Sequence, residues 1–312
     1  MIITHSSMEC FKSCRNKFKL RYIDCIVPKV KSNALDFGSA MHASLEHYFN
    51  LIKDYQESPH DYSDDDLKEI LLRECPEIGY SYLPDETEQA KLCGLIIGYI
   101  NNYYPGDKQE FSVFGVEQEF SIPLTSPSKM FKSFLSGKID GIIQRKSDGK
   151  YYILEHKTAS IVDDAYVSQK SIDSQTMLYA SCIHHTHGIK ISGAIHDIIT
   201  KQKIRQKKGE SPEEFRERLI SDVTNENFTR IEVEFSDEQM DEFEQDLESA
   251  IDDITFCDRY YKCTGSCIGR YGACEYLPIC KSGGLVDAVK EMYEIRRAHE
   301  ELSDETVGEE AS

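Results

Sequence analysis

The residues of this chain best placed to do chemistry are Asp140, Glu155 and Lys157. They sit in Gly137-Lys138-Ile139-Asp140-Gly141 and Tyr151-Tyr152-Ile153-Leu154-Glu155-His156-Lys157-Thr158. An Asp-Gly pair (Asp148-Gly149) between two apolar runs predicts a β-hairpin. With Asp148-Gly149 as a two-residue loop, Ser147 pairs with Lys150, Asp140 falls opposite Lys157, and Ile142 falls opposite Glu155. Side chains alternate along a strand, so Asp140, Glu155 and Lys157 share one face. Two carboxylates and an ammonium converging there would hold a hard divalent cation beside a fixed positive charge. That suits phosphodiester hydrolysis: carboxylates hold Mg²⁺ or Mn²⁺, and the lysine orients water or offsets charge growing on phosphate oxygens. An E-x-K triplet on a strand is commonly no more than a solvated ion pair. Here Ile139, Ile142, Ile143, Ile153 and Leu154 make both strands core, where unpaired charge is costly.

The elements that must position these groups follow from patterning. Ser6 and Glu9 read as a capping box opening a helix that reaches about Ile23. A second helix over 34–51 carries His42 and Glu46 one turn apart. The acidic stretch 54–88 reads as an exposed helical insertion with loops, and a helix from Glu88 is expected to stop at Pro105-Gly106. A strand over 111–122 precedes the hairpin, and a helix over 165–187 carries Gln175 and Tyr179 one turn apart. An alternating strand over 189–200 runs into the basic segment, and Pro212 opens a helix. A strand over 228–235 is followed by a long helix to about Phe256, the cysteine segment, a charged helix, and an acidic tail with Glu309 and Glu310 expected to be disordered. No internal repeat is evident.

The 312 residues suffice for a real core, and 40% hydrophobic with 29% charged residues is ordinary for a globular protein. No apolar run is long enough to span a membrane and the N-terminus lacks a signal-peptide layout, so a cytoplasmic location is expected. A net charge of −19 argues against a general polyanion binder. Basic residues cluster locally, however: Lys12, Arg15, Lys17, Lys19, Arg21, Lys29 and Lys31 in one run, Lys201, Lys203, Arg205, Lys207 and Lys208 in another. Either run alone could be a solvated face; together they suit a groove that grips phosphates locally, with Arg15, Lys17, Arg21, Lys203 and Arg205 the candidate nucleic-acid contacts. Five of the 11 cysteines, Cys257, Cys263, Cys267, Cys274 and Cys280, crowd one segment, which in a reducing compartment points to metal.

In order along the chain, Phe11/Cys14, Gly38/His42, Gly137/Ile139/Asp140, Glu155/Lys157 and Gln175/Tyr179 resemble the RecB-like nucleases of the PD-(D/E)XK superfamily. The run Lys207-Lys208-Gly209-Glu210-Ser211-Pro212-Glu213-Glu214-Phe215 is similar to phage and prokaryotic stand-alone members. The resemblance implies an α/β, restriction-endonuclease-like core: a small mixed central sheet flanked by helices. It also implies a metal held by Asp140, Glu155, the His156 carbonyl and His42, with Lys157 serving the attacking water. Gln175 and Tyr179 would hold the substrate strand or the active-site groups, and Glu46 is an alternative ligand. Ile139 stands where the superfamily name expects proline, a common departure in this branch.

Iron–sulfur members of the family use one cysteine before the active-site helix and three after the core, a split that Cys14 with Cys267, Cys274 and Cys280 would reproduce for a [4Fe–4S] cluster. The familiar C-x₂-C-x₅-C is C-x₆-C-x₅-C here, and Arg15 follows the first cysteine in place of proline. Cys263 and Cys257 compete as ligands, and zinc is the alternative occupant.

The expected organisation is a nuclease domain over 1–285, with the helical insertion at about 52–105 and the Cys-rich segment at 257–280, then a charged helix and tail over 286–312. The expected activity is a metal-dependent DNA exonuclease on single-stranded ends, in recombination, repair or phage DNA processing. No Walker A sequence is present, so any helicase or recombination partner would be a separate chain. The alternative is a non-catalytic nucleic-acid-binding subunit that kept the fold and cluster.

Overall fold

The computed structural model describes residues 1–30, 33–59, 63–124, 133–269, 272–300, 302, 303 and 306. Lys31 of the first basic run, and Glu309 and Glu310 of the expected disordered tail, lie outside the described residues. The elements begin with strand β1 (Ile2–Ile3), helices α1 (His5–Ser13) and α2 (Arg15–Phe18), a π-helical turn (Lys19–Ile23) and β2 (Ile26–Pro28). Three longer helices follow: α3 (Asn33–Glu57), α4 (Asp64–Tyr80) and α5 (Glu86–Glu110). Then come β3 (Phe111–Leu124), β4 (Ser133–Arg145), β5 (Tyr151–Ala159), α6 (Asp164–Gln169), α7 (Ser174–His187) and β6 (Ile191–Thr200). Helix α8 (Pro212–Ser221), β7 (Phe228–Glu234) and α9 (Asp237–Thr255) lead to the cysteine segment. That segment contains β8 (Ile268–Gly269), β9 (Gly272–Ala273) and α10 (Leu277–Ser282), and α11 (Asp287–Lys290) and β10 (Tyr293–Ile295) come after it.

These elements form two compact units, Met1–Lys31 with Glu119–Lys138 and Asp241–Ser312, and Ser32–Gln118 with Ile139–Met240. The second holds the main core. Its mixed sheet pairs β4 antiparallel to β5, β5 parallel to β6, and β6 antiparallel to β7. Strand β6 does not alternate as expected: seven consecutive residues, Gly193 to Ile199, are buried. An interior strand with a parallel neighbour is covered on both faces, so most of this run is apolar, with Asp197 paired to Arg230 and His196 the exception.

The acidic stretch is not an exposed insertion. Ser63 and Asp66 form a capping box at the start of α4, and its buried side is Leu67, Leu71 and Cys75, packed in the same cluster as Tyr48 of α3 and Tyr99 of α5. Its acids form only the opposite, wet side. Helix α5 also runs through Pro105 to Glu110 rather than stopping. An interior proline costs about 3 kcal/mol; the turn beyond it is retained because Tyr104 is buried and the buried Asp107 carboxylate binds Arg230 and Tyr48.

In the first unit, Ile2 and Ile3 pair in parallel with Phe134 and Leu135 of β4. The cap of α1 is Thr4 with Ser7, not Ser6 with Glu9, and the expected single helix to Ile23 breaks at Cys14, whose φ of −160° and ψ of 110° are extended. Strands β2 and β10 pair antiparallel, so the expected C-terminal charged helix is reduced to the four residues of α11 before a strand. Leu20, Tyr276, Ile279 and Tyr293 form this unit's own small core.

Candidate active site and cysteine cavity

The hairpin closes differently from the two-residue turn read in the sequence. Arg145 N–H donates to the Lys150 carbonyl at 2.9 Å and Gly149 N–H to the Arg145 carbonyl at 2.8 Å, leaving a four-residue loop. Gly149 takes φ +73°, the left-handed region where glycine is least strained. The observed register is Gly141 with Leu154 and Ile142 with Ile153, so Asp140 neighbours Glu155 rather than Lys157. A one-residue slip would have reversed every face; a two-residue slip reverses none. The shared face of Asp140, Glu155 and Lys157 therefore survives the correction.

Asp140 is held from two sides. One oxygen accepts the His156 backbone N–H at 2.8 Å, and the other lies 3.4 Å from His42 Nδ1, presented by α3. Glu155 is buried, and the Lys157 ammonium abuts its Oε1 as an ion pair. Among the described residues the Lys157 ion pair is the polar contact that the structure gives the Glu155 carboxylate. On α7, Gln175 Nε2 donates to the Tyr179 hydroxyl at 2.9 Å. Burial and the neighbouring Glu155 charge push the Tyr179 pKa well up, so its hydroxyl keeps its proton. Glu46, the alternative ligand on α3, is half-buried.

The charges are strongly interdependent. Burial works against the Asp140 carboxylate, yet His42, His156 and Lys157 together hold its pKa well below the usual range. Burial and the adjacent Asp140 push Glu155 up to about 7. Against the cost of burial, Asp140 and Glu155 hold the His42 imidazole above its ordinary pKa. Two acids, Glu155 buried and Asp140 12% exposed at its side chain, beside an imidazole form a donor set that a divalent cation fits.

Sequence reasoning missed two features. The first is Glu117 on β3: atoms of His42, Glu117 and Asp140 lie within 4.8 Å of one another, the one such trio of His, Cys, Asp or Glu donors among the described residues. Glu155 is outside that trio. No motif flagged Glu117; its backbone, at φ +47°, departs from strand geometry in a way composition does not reveal. The second is a buried network behind β5. Arg230 of β7 donates to both oxygens of Asp197 at 2.6 and 2.8 Å and also binds Asp107. Tyr99 donates to Asp197 at 2.5 Å and Tyr48 to Asp107 at 3.3 Å, while His156 Nδ1 lies 3.7 Å from Asp197. This network braces the strand whose backbone holds Asp140.

In the first unit, Cys14, Cys267, Cys274 and Cys280 line one cavity of about 370 Å³, together with Cys263, Asn16, Lys17 and Lys262. All the cysteines are free thiols. Asn16 Nδ2 donates to Cys280 Sγ at 3.5 Å and Cys263 N–H to Cys14 Sγ at 3.4 Å. Cys257 is not part of the lining; its sulfur accepts from Arg15 at 3.8 Å.

The candidate nucleic-acid contacts divide. Arg15 lies over the Phe11 and Tyr261 rings, and Lys17 and Arg21 pair with Glu275 at 3.2 and 3.7 Å. Lys203 and Arg205 are exposed in the irregular stretch between β6 and α8.

The sequence matches the family model described as the PD-(D/E)XK nuclease superfamily over residues 2–281. The chain belongs to the PD-(D/E)XK nuclease superfamily, whose members are usually divalent-metal-dependent nucleases and whose restriction-endonuclease-like fold its helix-flanked mixed sheet reproduces. No curated protein matches the chain. No helix among the described residues is long and apolar enough to cross a membrane.

Proposed function

We propose that this nuclease-superfamily chain is a divalent-metal-dependent DNA exonuclease acting on single-stranded ends, serving recombination, repair or phage DNA processing. The observation that carries the reading is the meeting of Asp140, His42, Glu155 and Lys157, from three separate elements, at one end of the hairpin. Asp140, Glu155, the His156 carbonyl and His42 would hold Mg²⁺ or Mn²⁺, which when bound supplies Lewis-acid polarisation of the scissile phosphate. Lys157 orients the attacking water and offsets charge that grows on the phosphate oxygens. Tyr179, kept protonated, and Gln175 donate hydrogen bonds toward the substrate strand or the acids. An exonuclease needs only a narrow groove for a free end, which fits the exposed Lys203 and Arg205 on an otherwise acidic chain.

Cys14, Cys267, Cys274 and Cys280 are proposed to bind a [4Fe–4S] cluster. All four line one cavity of about 370 Å³, which supports a shared metal group, and zinc is the alternative occupant.

The test is digestion of end-labelled single-stranded DNA with Mn²⁺ or Mg²⁺. Metal-dependent shortening that chelator and Lys157→Ala each abolish supports the enzyme. Tight binding without cleavage would replace it with a non-catalytic binding subunit.

A further inference from the structure

We propose that Glu117 is a metal ligand: with His42 and Asp140 it forms a divalent-cation site in which β3 supplies an acid from outside the hairpin. The inference deepens the nuclease reading and rests on it for the use of the ion, not for its binding. The geometry is that of a site needing only to close. One donor atom from each of the three residues lies within 4.8 Å of the other two. Octahedral Mg²⁺ or Mn²⁺ places neighbouring ligands about 3 Å and opposed ligands about 4.2 Å apart. Two carboxylates balance a divalent charge, and an imidazole beside them suits Mn²⁺ as well as Mg²⁺.

The backbone at Glu117 is a separate observation. Phe111, Val113 and Gly115 alternate inward along β3, the frame then shifts, and Phe120 is the next buried residue. Glu117 sits inside that shift with φ +47°, a left-handed conformation that side-chain-bearing residues adopt reluctantly. Such irregularities in strands re-aim a side chain. Here the carboxylate is brought to His42 and Asp140, and it is half-buried, hence reachable by an ion.

The same conformation gives a discriminating variant. Glycine accepts positive φ without strain, so Glu117→Gly removes the carboxylate while easing the backbone. Mn²⁺ binding to the full chain without DNA is measured by calorimetry for wild type, Glu117→Gln, Glu117→Gly and His42→Ala, and metal-free melting is recorded for each. The expected result is at least a roughly tenfold loss of Mn²⁺ affinity in both Glu117 variants, each still melting cooperatively without metal. Wild-type affinity in both, with affinity lost in His42→Ala, would overturn the assignment while leaving the nuclease reading standing. Wild type that binds Mn²⁺ through Glu117 yet never cleaves DNA would sink the nuclease reading alone.

Discussion

The His156 backbone N–H donates to one oxygen of Asp140 at 2.8 Å, while the other oxygen faces His42 at 3.4 Å. One oxygen is thus fixed by the partner strand, and the other is aimed at the helix that carries the imidazole. Asp140→Asn places an amide where two donors already converge, so it removes charge and orientation together. DNA cleavage is expected to fall by on the order of 10³-fold, with secondary structure retained. Initial rates alongside circular dichroism check this; residual activity above a tenth of wild type would contradict it.

Lys157, its side chain 34% exposed, pairs with the buried Glu155, so removing the ammonium strands the acid. Lys157→Met is expected to reduce kcat by about 10²–10³-fold with little change in KM, because the ammonium is proposed to act as charge develops on the phosphate. Single-turnover rates at saturating DNA separate the two parameters, and a change confined to KM would contradict the role.

Arg230 lies between Asp197 and Asp107, and neither acid is solvated. Arg230→Met leaves two buried acids facing each other and is expected to cost about 3–5 kcal/mol of stability. Urea denaturation measures it. A loss below 1 kcal/mol would show that the network contributes little.

These features also show where the sequence is and is not legible. The shared face of Asp140, Glu155 and Lys157 could be read because period-two alternation tolerates a two-residue register error. The loop length could not, since Asp148-Gly149 fits a two-residue turn and also the longer one with Gly149 at positive φ. The acids of α4 masked Leu67, Leu71 and Cys75, whose helical spacing marks a core face. Pro105 misled because its local cost is offset by Asp107 pairing with Arg230, 123 residues away. The Asp107–Arg230–Asp197 network and Glu117 have no local signature: each depends on contacts between elements distant in sequence.

His196 on β6 is buried, and among the described residues neither ring nitrogen has a hydrogen-bond partner. Burial, reinforced by nearby Lys170, lowers its pKa to about 4. The unfolded chain, with a histidine pKa near ~6.5, therefore binds this proton more tightly. Stability is fully present above that value and is lost as pH falls toward about 4, with a slope of about 1.4 kcal/mol per pH unit for one proton. Metal-free His196→Phe is expected to flatten the dependence between pH 6 and 5 by roughly that slope. Parallel pH dependence in denaturation of variant and wild type would contradict it.

The cysteine cavity predicts a colour. Protein purified without oxygen is expected to be brown, with iron and sulfide near four each for a [4Fe–4S] cluster, and Cys274→Ser is expected to lose the colour. Colourless protein carrying stoichiometric zinc would contradict the cluster.

The central claim is that Asp140 holds a divalent ion between α3 and the hairpin. Anomalous scattering from crystals soaked in Mn²⁺ tests it most directly. The account predicts a peak within about 2.3 Å of an Asp140 carboxylate oxygen and in reach of His42. Mn²⁺ bound elsewhere, with the Asp140–His42 contact intact and dry, would contradict it.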